Sequence, residues 1–530
     1  MKNLKKLLVM LCAILEEICM AKKIIIPLIF IFVFGYFLRV MFLPSKALTF
    51  GYDQARDAVN ALEIVHGHIK IFGPSASQPG LFHGVFYYYV LAPFYAIGKG
   101  SPVVAAYGIA FVNMLTMFIV YFLTFLMTKR QKTALIAAFL FAISFEATQY
   151  ASWLSNPTLG IITVPLMYLG LWSWISGAWS KGQNKKPWGP VIAALGLGLS
   201  IQSEIFLVYH VVPLLIWLFI VRKNITRKQI IVFAAVLFIT LSSMMLAQIK
   251  FGIPGTINGI KSLAVSPDGN LAYEKSLGDY LILYLNQIGR IFSFNSYPGN
   301  VGWGSIFVIA IAITGTLKRD KKIMFLATWL FSHLTVVTVG GTSTPFLMVG
   351  IGPAVAIIIA LYLGQWWEKK YKILVIVVLV ILTYGNISMI FNQNKNGSTL
   401  FSIQKDMLLS KQLNAIDFTY NEANGKPFSV NTLTSPLWVN IVWSYLYKWY
   451  GQNTYGYVPT WHGRGQEGQV VSLISDENKW KLGFLIIEPQ DGIPSQYLPW
   501  TIGQEDSYSK LITERDFGAI RVQERLKNDK

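Results

Sequence analysis

The chain is poor in cysteine and poor in charge. Its 530 residues include two cysteines, Cys12 and Cys19. Both precede the first long apolar run, so no disulfide can staple a later, exported segment. Only 13% of residues are Asp, Glu, Lys or Arg, about half the share found in ordinary soluble domains. A soluble globular class is therefore set aside. No A-x-A site follows the basic, apolar start MKNLKKLLVMLCAILEEICM, and Glu16 and Glu17 interrupt it, which argues against a cleaved signal peptide. Met20-Ala-Lys-Lys reads as a natural start, so residues 1–20 are expected to be a cytosolic amphipathic extension or a spurious one. No internal repeat of roughly 20–50 residues appears, which removes solenoid and propeller arrays from consideration.

Hydrophobic residues are abundant, at 54% with mean hydropathy +0.48, and aromatics include 16 Trp, 26 Tyr and 34 Phe. A membrane crossing needs about 20 apolar residues, and many such runs are present. The formal charge of +19 would suit nucleic acid were it not for its placement. Lys and Arg fall in short clusters between apolar runs, where they set topology and meet anionic head groups. No nucleic-acid partner is expected.

Apolar runs and basic clusters together give one map. Crossings are expected at 24–43, 103–127, 133–150 and 157–176, then as a short hairpin over 190–220, then at 229–248, 301–317, 323–340, 345–364 and 373–391. That is an α-helical polytopic membrane protein of about 11 transmembrane helices. Its N-terminus is cytosolic, and dense basic clusters up to Lys372 fall on one side. Residues 21–392 form the membrane domain, with a first outer loop at 44–102. Residues 393–530 are polar, with short apolar strands at 428–433, 484–487 and 518–522 and an amphipathic helix at 437–450. Strand–helix–strand order there predicts a small extracytoplasmic α/β domain, long enough to bury its own core.

The first outer loop concentrates the unusual residues. Gly51-Tyr-Asp-Gln-Ala-Arg-Asp57 places Asp53, Arg56 and Asp57 just after the first crossing. A carboxylate beside an arginine at a bilayer surface suits chemistry on a lipid-borne substrate better than it suits a core. Gln54 to Gly67 has a helical apolar stripe, and Pro79 to Pro93 is an aromatic run bounded by prolines. Both are expected as helices lying in the interface, where Tyr is favoured. Asp53 also fits the plain role of a helix N-cap, and cap and chemistry are compatible. Arg56 suits a phosphate or a neighbouring acid. His66 and His68 flank a glycine turn; with His83 they could be drawn as zinc ligands, but the spacing matches no zinc signature.

The sequence Phe50-Gly-Tyr-Asp-Gln-Ala-Arg-Asp57, then His66-Gly-His68, then Pro79-Gly-Leu-Phe-His-Gly-Val-Phe-Tyr-Tyr-Tyr89 resembles the membrane glycosyltransferases of the family 39 type. These have the C-type fold and include protein O-mannosyltransferases and bacterial aminoarabinose transferases. The likeness spans roughly residues 24–390 and is strongest at 50–95. It implies a polyprenyl-phosphate sugar donor, a site facing away from the cytosol, and Asp53 as general base. A hydroxyl acceptor needs such a base, and a phosphate leaving group needs a cation. Many family members carry an Asp-Glu pair where this chain has Asp53-Gln54, which leaves Asp57 to share the work or not.

Further candidates lie on the same expected side. His83 is placed in the active-site lining. Glu146, Asn156 and Glu204 stand at outer ends of crossings, where an acid is a functional candidate by default. Arg290 or Lys261, in the loop at 250–300, is a candidate to assist Arg56. The family's basic residue is missing from the late outer loop, Thr344 to Pro353. Expected partners are a polyprenyl-phosphate-linked sugar, membrane lipids, and an acceptor that is protein, lipid or glycan; the expected location is the cell (plasma) membrane. Two other readings stand beside this one. An oligosaccharyltransferase-like enzyme needs a divalent metal, which this loop allows but does not imply, lacking a D-x-D or E-x-D motif. A lipid or solute transporter or flippase usually shows repeat symmetry and charges at mid-membrane, whereas acids here gather at the outer boundary.

Overall fold

A computed structural model describes residues 22–76, 81–177, 188–251, 276–297, 299, 301–335, 345–462 and 480–528. Among these, five helices are long and apolar enough to cross a membrane: Ile24–Ser45, Pro102–Thr128, Asn156–Ser176, Arg227–Lys250 and Lys372–Asn396. A bent helix pair is a sixth candidate. The expected single run at 133–150 is two helices, Gln131–Ile143 and Phe145–Ser152, meeting at 53°. Other expected crossings are shorter helices, among them Trp188–Ser203, Ile205–Ile220 and Gly302–Leu317. Length and composition thus mark six of the expected eleven. The helix expected over 323–340 spans Lys321–Leu330 and gives way to turns at Ser332 and His333. Residues 1–21 and Lys261 lie outside the described residues.

The bend has a clear cause. In lipid every backbone polar group needs a protein partner, and a break frees several at once. Arg39, 4% exposed, donates from Nη1 to Ala142 O at 2.8 Å and from Nη2 to Phe141 O at 3.3 Å. Its Nε bonds Asn113 Oδ1 at 2.7 Å. Beyond the break, Ser144 Oγ caps the next helix by accepting from Ala147 N at 3.2 Å, and Phe145 N donates to Asn386 Oδ1 at 2.9 Å. The break therefore satisfies its own backbone, and Glu146 emerges in the first turn after it.

Between the first two crossings the two expected helices are present but displaced. The first is Tyr52–Val65 and the second Phe86–Ile97. The second starts late because His83 N bonds Pro74 O at 2.9 Å and Ser75 pairs with Phe82, which keeps residues 81–84 extended. Gly84 is required by close approach: a Cβ there would fall 1.7 Å from Gln202 Oε1.

The carboxyl region is α/β, as expected. Strands β1 (Phe428–Leu433), β2 (Thr460–Trp461), β3 (Leu482–Ile487), β4 (Ser509–Phe517) and β5 (Ile520–Lys527) form one sheet in the order β2-β1-β3-β5-β4. β1 is parallel to β2 and β3, with Phe428 opposite Leu482 and Leu433 opposite Ile487, whereas β5 is antiparallel to β3 and β4. β1 is buried along its whole length even though Ser429, Asn431 and Thr432 interrupt its apolar residues. β4 is an exposed edge whose Lys510, Glu514, Arg515 and Asp516 discourage pairing with another chain. The helix expected at 437–450 is shorter, Ile441–Leu446, and widens into a π turn over Tyr447–Gly451.

The carboxyl region has a small cluster of its own, Leu433, Leu485, Ile487 and Ile493, and shares a larger one. Ala55, Ala58 and Ala61 of the first loop helix, with Tyr87, Leu91 and Tyr95 of the second, pack in one cluster with Leu413, Phe428, Trp443 and Val522. Small alanines on one face of the Tyr52–Val65 helix allow this close approach, and the Ile441–Leu446 helix packs on it.

Arg39→Met is expected to leave the Ala142 carbonyl at the bend unpaired, while Phe141 O keeps its bond from Ser144 N. At roughly 1–3 kcal/mol for each orphaned group, the thermal midpoint in detergent should fall clearly below wild type. An unchanged midpoint would show that the bend does not depend on this side chain.

Candidate functional site

The Tyr52–Val65 helix begins at Gly51, whose extended backbone (φ −113°, ψ −159°) turns the chain into it. Asp53 and Arg56 lie one turn apart on this helix, so their side chains meet. Arg56 Nη1 bonds Asp53 Oδ1 at 2.7 Å, and Arg56 Nε bonds Asp57 Oδ1 at 2.8 Å. The guanidinium is thus shared between two carboxylates of very different exposure. The Asp53 side chain is 47% exposed and that of Asp57 is fully buried. Asp57 Oδ2 is buried with no hydrogen-bond partner. Burial pushes the Asp57 carboxyl up to about 7; Arg56 opposes this rise and Asp53 adds to it.

Arg56 also lines a cavity of about 480 Å³ with Asn60, Lys70, Phe72, Tyr88 and Lys250. Lys250 Nζ sits 5.1 Å from the centre of the Phe72 ring. Lys70 pairs with Glu63 at the rim. Three cations therefore face one space, with backbone from residues 69–75 forming its wall. Lys70 and Lys250 were not anticipated from sequence. A signal existed for Lys250: it is a lone basic residue at the expected outer end of its apolar run, against the trend of the basic clusters.

His83 and Glu204 are brought together from distant parts of the chain. Glu204 stands at the break between the Trp188–Ser203 helix and the turn at Ile205–His210, where its carboxylate accepts from Phe206 N at 3.3 Å. His83 Nδ1 lies 3.5 Å from Glu204 Oε1 and accepts a hydrogen bond from Ile205 N at 3.1 Å. An imidazole that accepts at Nδ1 is neutral there, with its proton on Nε2. Burial, with Arg56 nearby, pushes the His83 imidazole down to about 3. The contact is therefore not an ion pair. Asn156 Nδ2 bonds Ser203 O at 2.7 Å and so holds the backbone next to Glu204. Asp53 lies within electrostatic range of Glu204, and Arg56 within range of His83.

Arg290 and Glu146 form a separate group. Asn295 bridges Ser144 Oγ at 2.7 Å and Glu146 Oε2 at 2.5 Å. Arg290 is within electrostatic range of Glu146 and His333. Arg290 does not line the cavity with Arg56, so the expected direct assistance is not seen. Its Nε and Nη2, and Glu146 Oε1, are buried without hydrogen-bond partners. Tyr150 is in range of both, and of Tyr209, which in turn is in range of Glu204. His66 and His68 are exposed and do not join His83, which is buried. Among the described residues no three His, Cys, Asp or Glu side chains gather as a metal site.

Comparison with known proteins places this geometry. Residues 82–247 match the family described as dolichyl-phosphate-mannose-protein mannosyltransferase. The matched stretch contains His83, Glu146, Asn156 and Glu204 and begins after Asp53. ArnT from Cupriavidus metallidurans bound to undecaprenyl phosphate has a similar structure, with a TM-score of 0.60 at 11% identity over 95% of this chain and 98% of that one. The apo state of the same protein gives 0.56 at 10% identity over 94% and 97%. The apo oligosaccharyltransferase of Archaeoglobus fulgidus gives 0.49 at 13% identity over 79% and 63%. No curated protein matches the chain by sequence. At such identities the structural likeness is one of fold. The chain is an α-helical polytopic membrane protein with an ArnT-like fold.

Proposed function

We propose that the chain is an inverting glycosyltransferase that moves a sugar from a polyprenyl-phosphate donor to a hydroxyl acceptor on the outer face of the cell membrane. The supporting observation is the double use of Arg56: it holds the half-exposed Asp53 at 2.7 Å and lines the cation-walled cavity. A base and an anion-holding group are thereby one guanidinium apart.

In this reading Asp53 takes the proton from the acceptor hydroxyl as its oxygen attacks C1 of the sugar. Attack comes from the face opposite the phosphate, so the C1 configuration inverts. The C1–O bond to phosphate breaks, and its electron pair stays on the phosphate oxygen. The leaving polyprenyl phosphate gains a negative charge, which Arg56, Lys70 and Lys250 face. Such preorganised charge is worth most away from bulk water. His83, neutral and fixed, donates from Nε2 rather than carrying charge. Asn156 acts through Glu204. The unpartnered nitrogens of Arg290, beside Glu146, support a second anion-holding group deeper in the fold.

Asp57 sets how freely Arg56 can turn to phosphate. Protonated, it leaves the guanidinium to Asp53 and donor; ionised, it competes. A donor phosphodiester carries one charge throughout neutral pH, so donor titration does not confuse the effect.

Two outcomes are expected in membranes supplied with radiolabelled polyprenyl-phosphate hexose. Asp53→Asn should lower transfer by about 100-fold or more, the scale of a lost general base. Wild-type transfer in a well-expressed mutant would remove Asp53 from the mechanism. Donor KM should rise as pH passes upward through about 7, where Asp57 loses its proton, and Asp57→Asn should flatten that rise. A rise that persists in Asp57→Asn would locate the titration elsewhere.

A further inference from the structure

Asp53 is only as well placed as the backbone that leads into it. Two residues ahead lies the peptide unit joining Phe50 and Gly51. Its N–H donates to Gln54 Oε1 at 2.9 Å. Its C=O accepts from Gln412 Nε2 at 2.7 Å, across 362 positions of sequence. A peptide unit is planar, so holding both ends fixes the plane and with it the direction in which Gly51 launches the helix.

The surroundings reinforce the hold. Leu409 N donates to Leu48 O at 2.8 Å, and Phe50 N to Met407 O at 3.0 Å, across an antiparallel bridge between Thr49 and Leu408. Thr49 Oγ1 bonds Gly397 O at 2.9 Å. Gln412 itself, on the Leu409–Ala423 helix, is fully buried, and its Oε1 has no hydrogen-bond partner. A buried, unsatisfied amide oxygen is a liability for stability. An apolar side chain of the same size would not carry it. What the amide supplies in return is an N–H to Phe50 O at 2.7 Å, with a weaker one to Met407 Sδ at 3.9 Å.

We propose that Gln54 and Gln412 are positioning residues for the reaction, clamping the Phe50–Gly51 peptide from opposite ends so that Asp53 stands at the acceptor hydroxyl. The assignment rests on Asp53 acting as the base. The two glutamines are used with opposite polarity. Gln54 accepts and Gln412 donates, so a carboxylate can replace the first but not the second.

That polarity supplies the test, with the full-length protein in membranes and the same radiolabelled donor. Gln412→Met and Gln54→Ala should each lower kcat about 10-fold or more, in keeping with the sensitivity of catalysis to small misplacements. Donor KM should stay close to wild type, the thermal midpoint should fall modestly because a backbone group is orphaned, and kcat is compared at a temperature where both variants remain folded. Gln54→Glu should recover most of what Gln54→Ala loses, whereas Gln412→Glu should recover nothing. Wild-type kcat in Gln412→Met, a change confined to donor KM, or equal impairment of Gln54→Glu and Gln54→Ala would each overturn the proposal. If Gln412→Met does not fold, the Gln54 pair decides alone. Asp53→Asn measured alongside separates the two readings: full activity there defeats the base assignment, whatever the glutamines show.

Discussion

Arg56 is the constraint on which the rest of the site depends. A charged helix end placed against an apolar bundle needs its charges met by protein, because little water reaches them. Arg56 meets two carboxylates at once, one fully buried and one half-exposed. Remove the guanidinium and Asp57 becomes an uncompensated buried acid, while Asp53 loses the group that aims it. The same side chain forms part of the cavity wall. Cavity wall, the pairing of Asp53 and local stability therefore pass through a single residue, and none of the three can be tuned without the others.

Helix breaks do the remaining work of bringing polar groups together. Glu146 follows the break at Ser144, and Glu204 sits in the break after Ser203. Irregular backbone at membrane depth is tolerated only where protein satisfies it, and both breaks are satisfied. Arg39, Asn113 and Asn386 serve the first. Asn156 and the Glu204 carboxylate serve the second. Continuous helices would carry these acids out along lipid-facing surfaces; interrupted ones turn them inward.

Much of this was legible in the chain, and the boundary of legibility is physical. Apolar runs such as Pro102–Thr128 and Lys372–Gln393 declare themselves because lipid demands about 20 consecutive apolar residues. The Asp53–Arg56–Asp57 group was readable because helical spacing alone brings its members together. Lys70 and Lys250 were not, since their convergence depends on the loop at 69–75 folding back against a helix nearly 200 residues away. The bend at Ser144 was hidden for a related reason: Arg39 has no periodic signature that links it to Phe141 and Ala142. The shared core of the first loop and the carboxyl domain escaped as well, because the small faces of Ala55, Ala58 and Ala61 read equally well against any partner.

The carboxyl domain then takes on a different meaning. Residues 393–530 could have been an appendage tethered by the last crossing, selecting acceptors at a distance. Instead Leu48 to Phe50 pair with Met407 to Leu409, Tyr445 Oη bonds Gly100 O at 2.5 Å, and the Phe50 and Tyr445 rings lie 5.6 Å apart. An appendage that moved independently would have to break these contacts and reopen a common apolar cluster each time. Unpaired polar atoms gather in the same layer: Asp57 Oδ2, Tyr87 Oη, Tyr95 Oη and Gln412 Oε1 are all buried without hydrogen-bond partners. Sequences under selection for stability alone would replace such groups with apolar ones. These four groups lie where the Tyr52–Val65 and Phe86–Ile97 helices share an apolar cluster with the carboxyl region.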